Sequence, residues 1–475
     1  MWKPFLVSGV LVILVAWAPA CNGNKTANKN GNPSAKSSEI QAADYGQLDT
    51  NRVNGFLAES RRLTRFGVPP SNEVDDLIRE AGLSLADKIE SLKRLAPAAD
   101  ATGPREELRM ERLILSVAPE ELTLFKFALE YDGDYKDLVE YVFHDIDNKE
   151  RRARIIEHFR KAPAPIGVKV LTDVDDTMYA NLIERRYPKK TLYPGVLEFY
   201  DSLRHEPFEA KPICITTLSA RPNPIGLKLE DASLAGLVEF TNGKLRPSAL
   251  SGKLASSLIG SLQTVLRANQ TRLDLLSDDI SHGQEDKIGR VKFLNFTEFA
   301  RVYPEYRFVF VGDSGQADAL TAQLMVTQNS TEASRVLTTF IHDLRRSEND
   351  AESASNSFAS LLQHPDLLVS ETSASGRGVI VFRNYIQAAV IAYMNRATLE
   401  DLITAEELAT ITKAALDQFQ EITDKKKDDS LERLRQEYRQ DAERAYQLLM
   451  SADPKPSGLA DIRGILDEKF LGTQQ

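Results

Sequence analysis

Cysteine is scarce in this chain of 475 residues, which contains only Cys21 and Cys214. The first lies at the end of an apolar N-terminal segment, and the second lies within a run that is typical of a buried strand. A single internal thiol cannot build a disulfide framework, so that class of small cross-linked fold is excluded. We interpret Cys214 as a small core residue.

An excess of positive charge is also missing, since the formal net charge is -10. Non-specific nucleic-acid binding requires a basic face, so we predict no nucleic-acid partner. A phosphorylated substrate remains possible, because a bound metal ion can supply local positive charge. The sequence has no His-Glu-x-x-His and no paired-cysteine metal motif, and Ser251-Gly252-Lys253-Leu254 lacks the first glycine and the hydroxyl of a nucleotide-binding P-loop.

The N-terminus has the pattern of a targeting segment. Phe5–Ala18 is an almost unbroken apolar run that is short for a bilayer span and suits a signal peptide. The ending Ala18-Pro19-Ala20-Cys21 resembles a bacterial lipoprotein signal, so we expect a signal peptide at 1–21, lipidation of Cys21 and anchoring of an exported protein to the bacterial cell envelope. An uncleaved anchor or an ordinary secretory signal remains an alternative. The polar stretch 22–45 predicts a flexible tether.

The rest of the chain divides into three patterns. Residues 46–164 have apolar positions at helical spacing and predict an all-helical N-terminal region. Residues 165–397 alternate β-branched runs with helical segments, which predicts an α/β core with a parallel, Rossmann-like sheet. Residues 398–475 predict a helical C-terminal region. The expected strands are Gly167–Thr172, Ile213–Leu218, Arg307–Val311, Leu337–Ile341 and Val379–Phe382.

Polar residues follow three of these strands. Asp173-Val174-Asp175-Asp176-Thr177 follows the first strand, Ser219-Ala220-Arg221 the second, and Asp313 to Asp318 the third. Ligands bind at the carboxyl ends of strands in open α/β sheets, so we expect the three segments to meet. Clustered carboxylates repel one another unless a cation lies among them, and Mg²⁺ binds carboxylates together with substrate oxygens. The pattern therefore predicts a magnesium site suited to phosphoryl transfer.

The order of these motifs resembles that of the haloacid dehalogenase-like phosphatases. The residues around them, Leu218–Pro222 and Pro304–Asp318, look like the phosphatidate phosphatase catalytic domain of the actin-patch-associated protein family and its bacterial relatives. The Ser-Ala-Arg turn is also similar to that of the lipins. The resemblance covers roughly 168–382. Gln316 stands where the family often has Glu, and we expect this difference to be tolerated because the position lies between the two metal-binding acids.

The resemblance implies a role for each motif residue. The implied roles are Asp173 as nucleophile, Asp175 as general acid and then base, Thr177 as a residue that steadies the loop, Ser219, Lys287 and Arg221 as phosphate ligands, and Asp173, Asp175 (through its main-chain carbonyl), Asp313 and Asp318 as Mg²⁺ ligands. Lys292 and Arg290 lie close to Lys287 and remain alternatives for the lysine. Asp176 is expected to be a local capping acid, and a structural salt bridge remains open for Arg221.

Together these expectations predict a magnesium-dependent phosphomonoester hydrolase that works through an aspartyl-phosphate intermediate. The expected substrate is phosphatidate at a membrane, because the predicted lipid anchor would hold the site beside a bilayer and 178–210 is too short for a large cap domain. Two alternatives stay open. One is a phosphatase of a soluble sugar or inositol phosphate, and the other is an envelope-anchored interaction module with an idle phosphatase core.

Overall fold

The computed structural model describes residues 46–96, 102–131, 137–163, 167–181, 183–204, 212–222, 234–252, 284–345, 355–373, 377–425 and 429–470. The predicted signal peptide, Cys21 and the predicted tether lie outside these ranges. Within them, no helix combines the length and the apolar character that a membrane span requires.

The N-terminal part is helical, as predicted from its apolar spacing. Its helices are α1 (Thr50–Leu63), α2 (Ser71–Ala81), α3 (Leu85–Leu95), α4 (Pro104–Leu115), α5 (Leu122–Glu130) and α6 (Lys149–Phe159). Local signals start several of them. The Asp49 side chain accepts hydrogen bonds from the first amides of α1, and Ser84 and Asp87 form a reciprocal capping box at α3. The same region contains a π-helical turn at Glu140–His144.

Six parallel strands form one sheet, which confirms the expected α/β class with a parallel sheet. The strands are β1 (Gly167–Thr172), β2 (Ile213–Pro222), β3 (Leu245–Gly252), β4 (Tyr306–Asp313), β5 (Val336–His342) and β6 (Val379–Phe382), in the spatial order β3-β2-β1-β4-β5-β6. The chain leaves β1 toward β2 on one side and returns to β4 on the other. The carboxyl end of β1 is therefore a topological switch point, where open α/β sheets form their ligand sites.

The strand β3 was not predicted from the sequence. It contains Pro247 and three serines or glycines, and it pairs only with β2 at the edge of the sheet. A proline is tolerated in an edge strand because one side of the strand forms no hydrogen bonds with a neighbouring strand. Together with the small polar residues, this proline weakens the apolar pattern by which a strand is predicted. The strand β2 also runs farther than expected, to Pro222, with a register shift after Leu218.

Helices cover both faces of the sheet. They are α7 (Val196–Leu203), α8 (Gln284–Val302), α9 (Asp318–Thr327), α10 (Asn356–Leu361), α11 (Tyr385–Met394), α12 (Ala405–Lys425), α13 (Asp429–Met450) and α14 (Leu459–Ile465). Neighbouring residues of β1 point to opposite faces. Leu171 belongs to a core shared with α1–α6, α8 and α9, whereas Val170 belongs to a core shared with α7 and α11–α14. Both helical flanks thus pack directly on the sheet.

A buried ion pair joins the N-terminal helices to the sheet. Lys126 in α5 and Glu305, just before β4, are both almost inaccessible to solvent, and the Lys126 Nζ lies 2.6 Å from the Glu305 carboxylate. The same ammonium donates to the Val302 carbonyl at 3.1 Å. Burial lowers the pKa of Lys126 to about 8, although the charge of Glu305 opposes that shift. A buried pair of this kind is costly to break from one side.

Candidate active site

Three carboxylates meet at the carboxyl end of the central strands. Asp173 directly follows β1, Asp313 ends β4, and Asp318 is the first residue of α9. One carboxylate oxygen from each residue lies within 4.8 Å of those of the other two, and this cluster could hold a metal ion. Asp313 and Asp318 are fully buried, while the Asp173 side chain keeps 14% of its surface exposed. Asp173 is therefore the member of the cluster that a ligand from solvent can reach.

The turn from β4 to α9 is held in place by its own acids. An Asp318 carboxylate oxygen accepts from the Asp313 amide at 3.3 Å, and Asp313 accepts from the Gly315 amide at 2.7 Å. A Cβ on Gly312 would lie only 2.6 Å from the Asp318 Cβ, so a larger residue has no room there. A Cβ on Gly315 would collide with Ile183. The glycines allow the turn to bring both acids against β1.

Lys292 supplies the positive charge within this cluster. Its Nζ lies 2.8 Å from an Asp173 oxygen and 2.5 Å from an Asp318 oxygen, and the side chain is 3% exposed. Lys292 comes from α8, which approaches α9 closely at Gly289, where a Cβ would lie 2.9 Å from the Ala317 carbonyl oxygen. The glycine thereby allows α8 to carry its lysine to the carboxylates.

The electrostatics of the cluster favour a further cation. Burial raises the pKa of Asp318 to about 6, although Lys292 acts in the opposite direction. Burial, with the charges of Asp318 and Asp173, raises the pKa of Asp313 well above its usual range. Burial lowers the pKa of Lys292, but Asp173 and Asp318 more than offset this and the net shift is upward. Three acids are thus only partly neutralised by one ammonium, and a bound dication would favour their ionised forms.

The hard oxygen ligands of this cluster suit Mg²⁺ or a similar hard dication. It is the one group of three such side chains found in the part of the chain that the structure describes. Comparisons with protein-family models, with curated proteins and with solved structures find no match for this chain. The chemistry of the site must therefore be inferred from its own residues.

The loop after Asp173 is fixed by buried side chains. Asp176 has a left-handed backbone (φ 59°), and its carboxylate accepts from the amides of Asn181 and Ile183, each at 2.7 Å. Asp176 is thus a local organiser of the loop. The Thr177 hydroxyl lies 3.4 Å from Asp313, and the Thr177 carbonyl accepts from the Tyr385 hydroxyl at 2.5 Å. These contacts hold the loop against β4 and α11.

Asp175 faces a different set of partners. One of its carboxylate oxygens accepts hydrogen bonds from the Tyr179 hydroxyl at 2.7 Å and from the side-chain amide nitrogen (Nδ2) of Asn181 at 2.8 Å. Its side chain is not part of the metal-competent group formed by the other three acids. Two donors on one oxygen restrict the direction of the carboxylate, which suits a group that must face a reacting atom. Tyr179 and Asn181 could not be predicted from the sequence, because neither belongs to a periodic pattern.

Lys292, and not Lys287, is the lysine that reaches the cluster. Lys287 lies on the first turns of α8 and is exposed. The helical spacing of apolar residues could have identified Lys292. This lysine lies on the same helix face as Phe296 and Phe299, and both phenylalanines are buried. Ser219 and Arg221 lie in β2, beside β1, but their side chains fall outside the described part of the chain.

Proposed function

We propose that this chain is a magnesium-dependent phosphomonoester hydrolase of the haloacid dehalogenase-like type, with Asp173 as its nucleophile. The observation that supports the proposal most strongly is the contact between Asp173 and Lys292 beside Asp313, at the switch point of the sheet. A partly exposed carboxylate next to a fixed ammonium is suited to attack on an anionic phosphoryl group. The order of the sequence motifs supports the same assignment.

The proposed reaction has two balanced steps. An Asp173 carboxylate oxygen bonds to phosphorus, the bond from phosphorus to the ester oxygen breaks, and Asp175 gives its proton to the departing oxygen. Asp175, now ionised, takes a proton from water as that water bonds to phosphorus. The bond from phosphorus to Asp173 then breaks, which releases inorganic phosphate and restores both acids.

The other residues orient and neutralise charge. Lys292 is placed to donate to a phosphoryl oxygen held at Asp173. Asp173 and Asp313 would hold Mg²⁺, which neutralises negative charge on the phosphoryl oxygens when it is bound. Both oxygens of Asp318 already accept hydrogen bonds, one from Lys292 and one from the Asp313 amide. Asp318 therefore holds these two residues in position, and it also belongs to the group of three acids that could bind the ion, since each carboxylate oxygen has a second lone pair.

The proposed substrate is phosphatidate at a membrane surface. In the described part of 178–210 the chain passes from the loop into α7 without any additional domain, so this part of the chain places no large cap over the site. The predicted lipid anchor at Cys21 would hold such a site near its substrate. A soluble sugar or inositol phosphate is the competing substrate class.

Hydrolysis of an aryl phosphate tests the chemistry before the substrate is known. We expect the full chain to release the aryl alcohol with Mg²⁺ and to lose this activity with EDTA. Asp173→Asn should lower the rate by roughly 10³-fold or more, because the nucleophile is removed. Asp201→Asn is the matched control, since Asp201 is an exposed acid on α7 and should leave the rate unchanged. Full activity in Asp173→Asn would contradict the mechanism.

The substrate class needs a separate measurement. Phosphate release should be compared between phosphatidate vesicles and soluble sugar and inositol phosphates at equal phosphate concentration. A higher kcat/KM on the vesicles is expected. A clear preference for the soluble esters would reject phosphatidate while leaving the phosphatase chemistry intact.

A further inference from the structure

The loop between α1 and α2 exposes large apolar side chains. Phe66 is 90% exposed and Val68 is 49% exposed, and Phe66 is the most exposed of the large apolar side chains that the structure describes. A Cβ on the intervening Gly67 would meet no atom within 4 Å, so the tip of the loop stands clear of the body. Burial of Phe66 and Val68 requires something outside the described part of the chain.

Arginines surround this tip. Arg61, Arg62 and Arg65 are exposed at the end of α1 and the start of the loop, and Arg105 at the start of α4 donates to the Arg65 carbonyl at 3.2 Å. The Arg65 guanidinium lies 5.3 Å from the centre of the Phe66 ring. The basic and the apolar side chains therefore form one surface, made by two helices and the loop between α1 and α2.

Most of this positive charge is not neutralised locally. Arg62 pairs with Glu59, and Glu106, which follows Arg105, pairs with Arg109. Across the described ranges, Arg61, Arg65 and Arg105 have no carboxylate partner within ion-pair distance. A cluster of unpaired arginines is unusual on a chain with a net charge of -10, and it indicates an anionic partner.

We propose that this surface, formed by Arg61, Arg65, Phe66, Val68 and Arg105, docks on an anionic lipid bilayer. Phe66 and Val68 would enter the boundary between head groups and acyl chains, where aromatic side chains partition favourably. The three arginines would contact lipid phosphates, which guanidinium groups bind with two parallel hydrogen bonds. The contact is separate from the predicted lipid anchor at Cys21, and it does not depend on the proposed phosphatase chemistry.

The shape of the surface favours a bilayer over a folded protein. A stable protein interface buries about 800 Å² on each partner around a packed apolar centre. Here the apolar part is two side chains on a projecting tip, with charged groups beside them. A bilayer accepts such a tip without a complementary groove, and each arginine near an anionic membrane raises binding by about fivefold.

Hydrogen–deuterium exchange of the full chain on vesicles tests this proposal locally. The apolar N-terminal segment can attach the chain to any vesicle, so the readout is exchange within 61–70. We expect exchange there to slow by about fivefold or more on vesicles of phosphatidylglycerol and phosphatidylcholine, and not on phosphatidylcholine alone. Equal exchange on both kinds of vesicle would overturn the proposal.

Variants separate the apolar and the charged contributions. The pair Phe66→Ser and Val68→Ser should abolish the protection, and so should the triple change of Arg61, Arg65 and Arg105 to Gln. Met450→Ser is the matched control, because Met450 is also an exposed apolar residue but lies far along the chain in α13. Protection that survives the loop variants, or protection by polyglutamate but not by vesicles, would contradict bilayer docking.

Discussion

At the scale of single residues, one ammonium lies between two acids that have different tasks. Lys292 contacts Asp173, which is partly exposed, and Asp318, which is fully buried. The buried partner holds the lysine, and the exposed partner is where a phosphoryl group would arrive. The lysine is therefore positioned before any substrate binds, which is the condition for effective electrostatic stabilisation.

Lys292→Met is predicted to lower kcat/KM for an aryl phosphate by roughly 10²- to 10³-fold, because a preorganised donor to the phosphoryl oxygens is lost. Lys287→Met provides the matched control on the same helix and should leave the rate unchanged, since Lys287 is exposed. Steady-state kinetics with melting temperatures for both variants make the comparison. If Lys287→Met lowered kcat/KM more than Lys292→Met, Lys287 would be the lysine that binds the phosphoryl group.

Asn181→Ala is predicted to lower kcat by about ten- to a hundredfold, because Asp175 loses one of the donors that orient it. The KM and the melting temperature should change little. Tyr179→Phe removes the hydroxyl that donates to the same Asp175 oxygen and should have an effect in the same direction. A loss of binding with an unchanged kcat in both variants would contradict a role for these residues in proton transfer.

The sequence could identify the acids of the site better than their partners. Asp173, Asp313 and Asp318 were predicted to meet because each stands beside the end of an apolar strand, and parallel strands end at one edge. Residue type could not show whether Lys292 or Lys287 contacts the acids, since lysines are usually exposed. Tyr179 and Asn181 depend on the course of an irregular loop, which no hydrophobic period specifies.

At the scale of elements, the approach of α9 to β4 determines the geometry of the acids. Gly312 permits that approach, because its hydrogen atom occupies the space where a Cβ would meet Asp318. Four of the predicted strands match the structure within two residues, and β2 ends four residues later than predicted. The strand β3 was missed because its proline and serines obscure the apolar pattern of a strand. Element positions thus follow from patterns, but their close contacts depend on single small residues.

Gly312→Ala is predicted to reduce phosphatase activity and to destabilise the fold by roughly 1–3 kcal/mol, because Asp318 must shift to admit the methyl group. Gly55→Ala is the matched control: Gly55 lies inside α1 with nothing within 4 Å, and alanine there should stabilise the fold by about 0.5–1 kcal/mol. Urea unfolding of the two variants measures both effects. Unchanged activity and stability in Gly312→Ala would show that the turn is not as tightly packed as described.

At the scale of the whole molecule, the helical flanks are continuous with the sheet through two cores. The sequence predicted that both flanks are helical, but not that polar groups would be buried where the N-terminal helices meet the sheet. By residue type Lys126 cannot be distinguished from an exposed helical lysine, although its neighbours Phe125 and Phe127 are both buried. Such long-range pairing with Glu305 leaves no local pattern.

Lys126→Met is predicted to destabilise the protein by about 3–5 kcal/mol, because Glu305 would be left buried without its partner. The double variant with Glu305→Leu should recover much of this loss, since both charges are then absent. The free energies of unfolding in denaturant of the wild type, the two single variants and the double variant form a double-mutant cycle that measures the coupling. Additive losses in the double variant would show that the two residues stabilise the fold independently.

The most direct test of the central claim is chemical trapping of the intermediate on Asp173. The full chain would be mixed with an aryl phosphate and Mg²⁺, quenched in acid during turnover, and treated with borohydride, which reduces an acyl phosphate of aspartate to homoserine. Peptide mass spectrometry should then find homoserine at position 173, and none in Asp173→Asn. Turnover without any reduction at Asp173, or with reduction at another acid, would contradict its role as nucleophile.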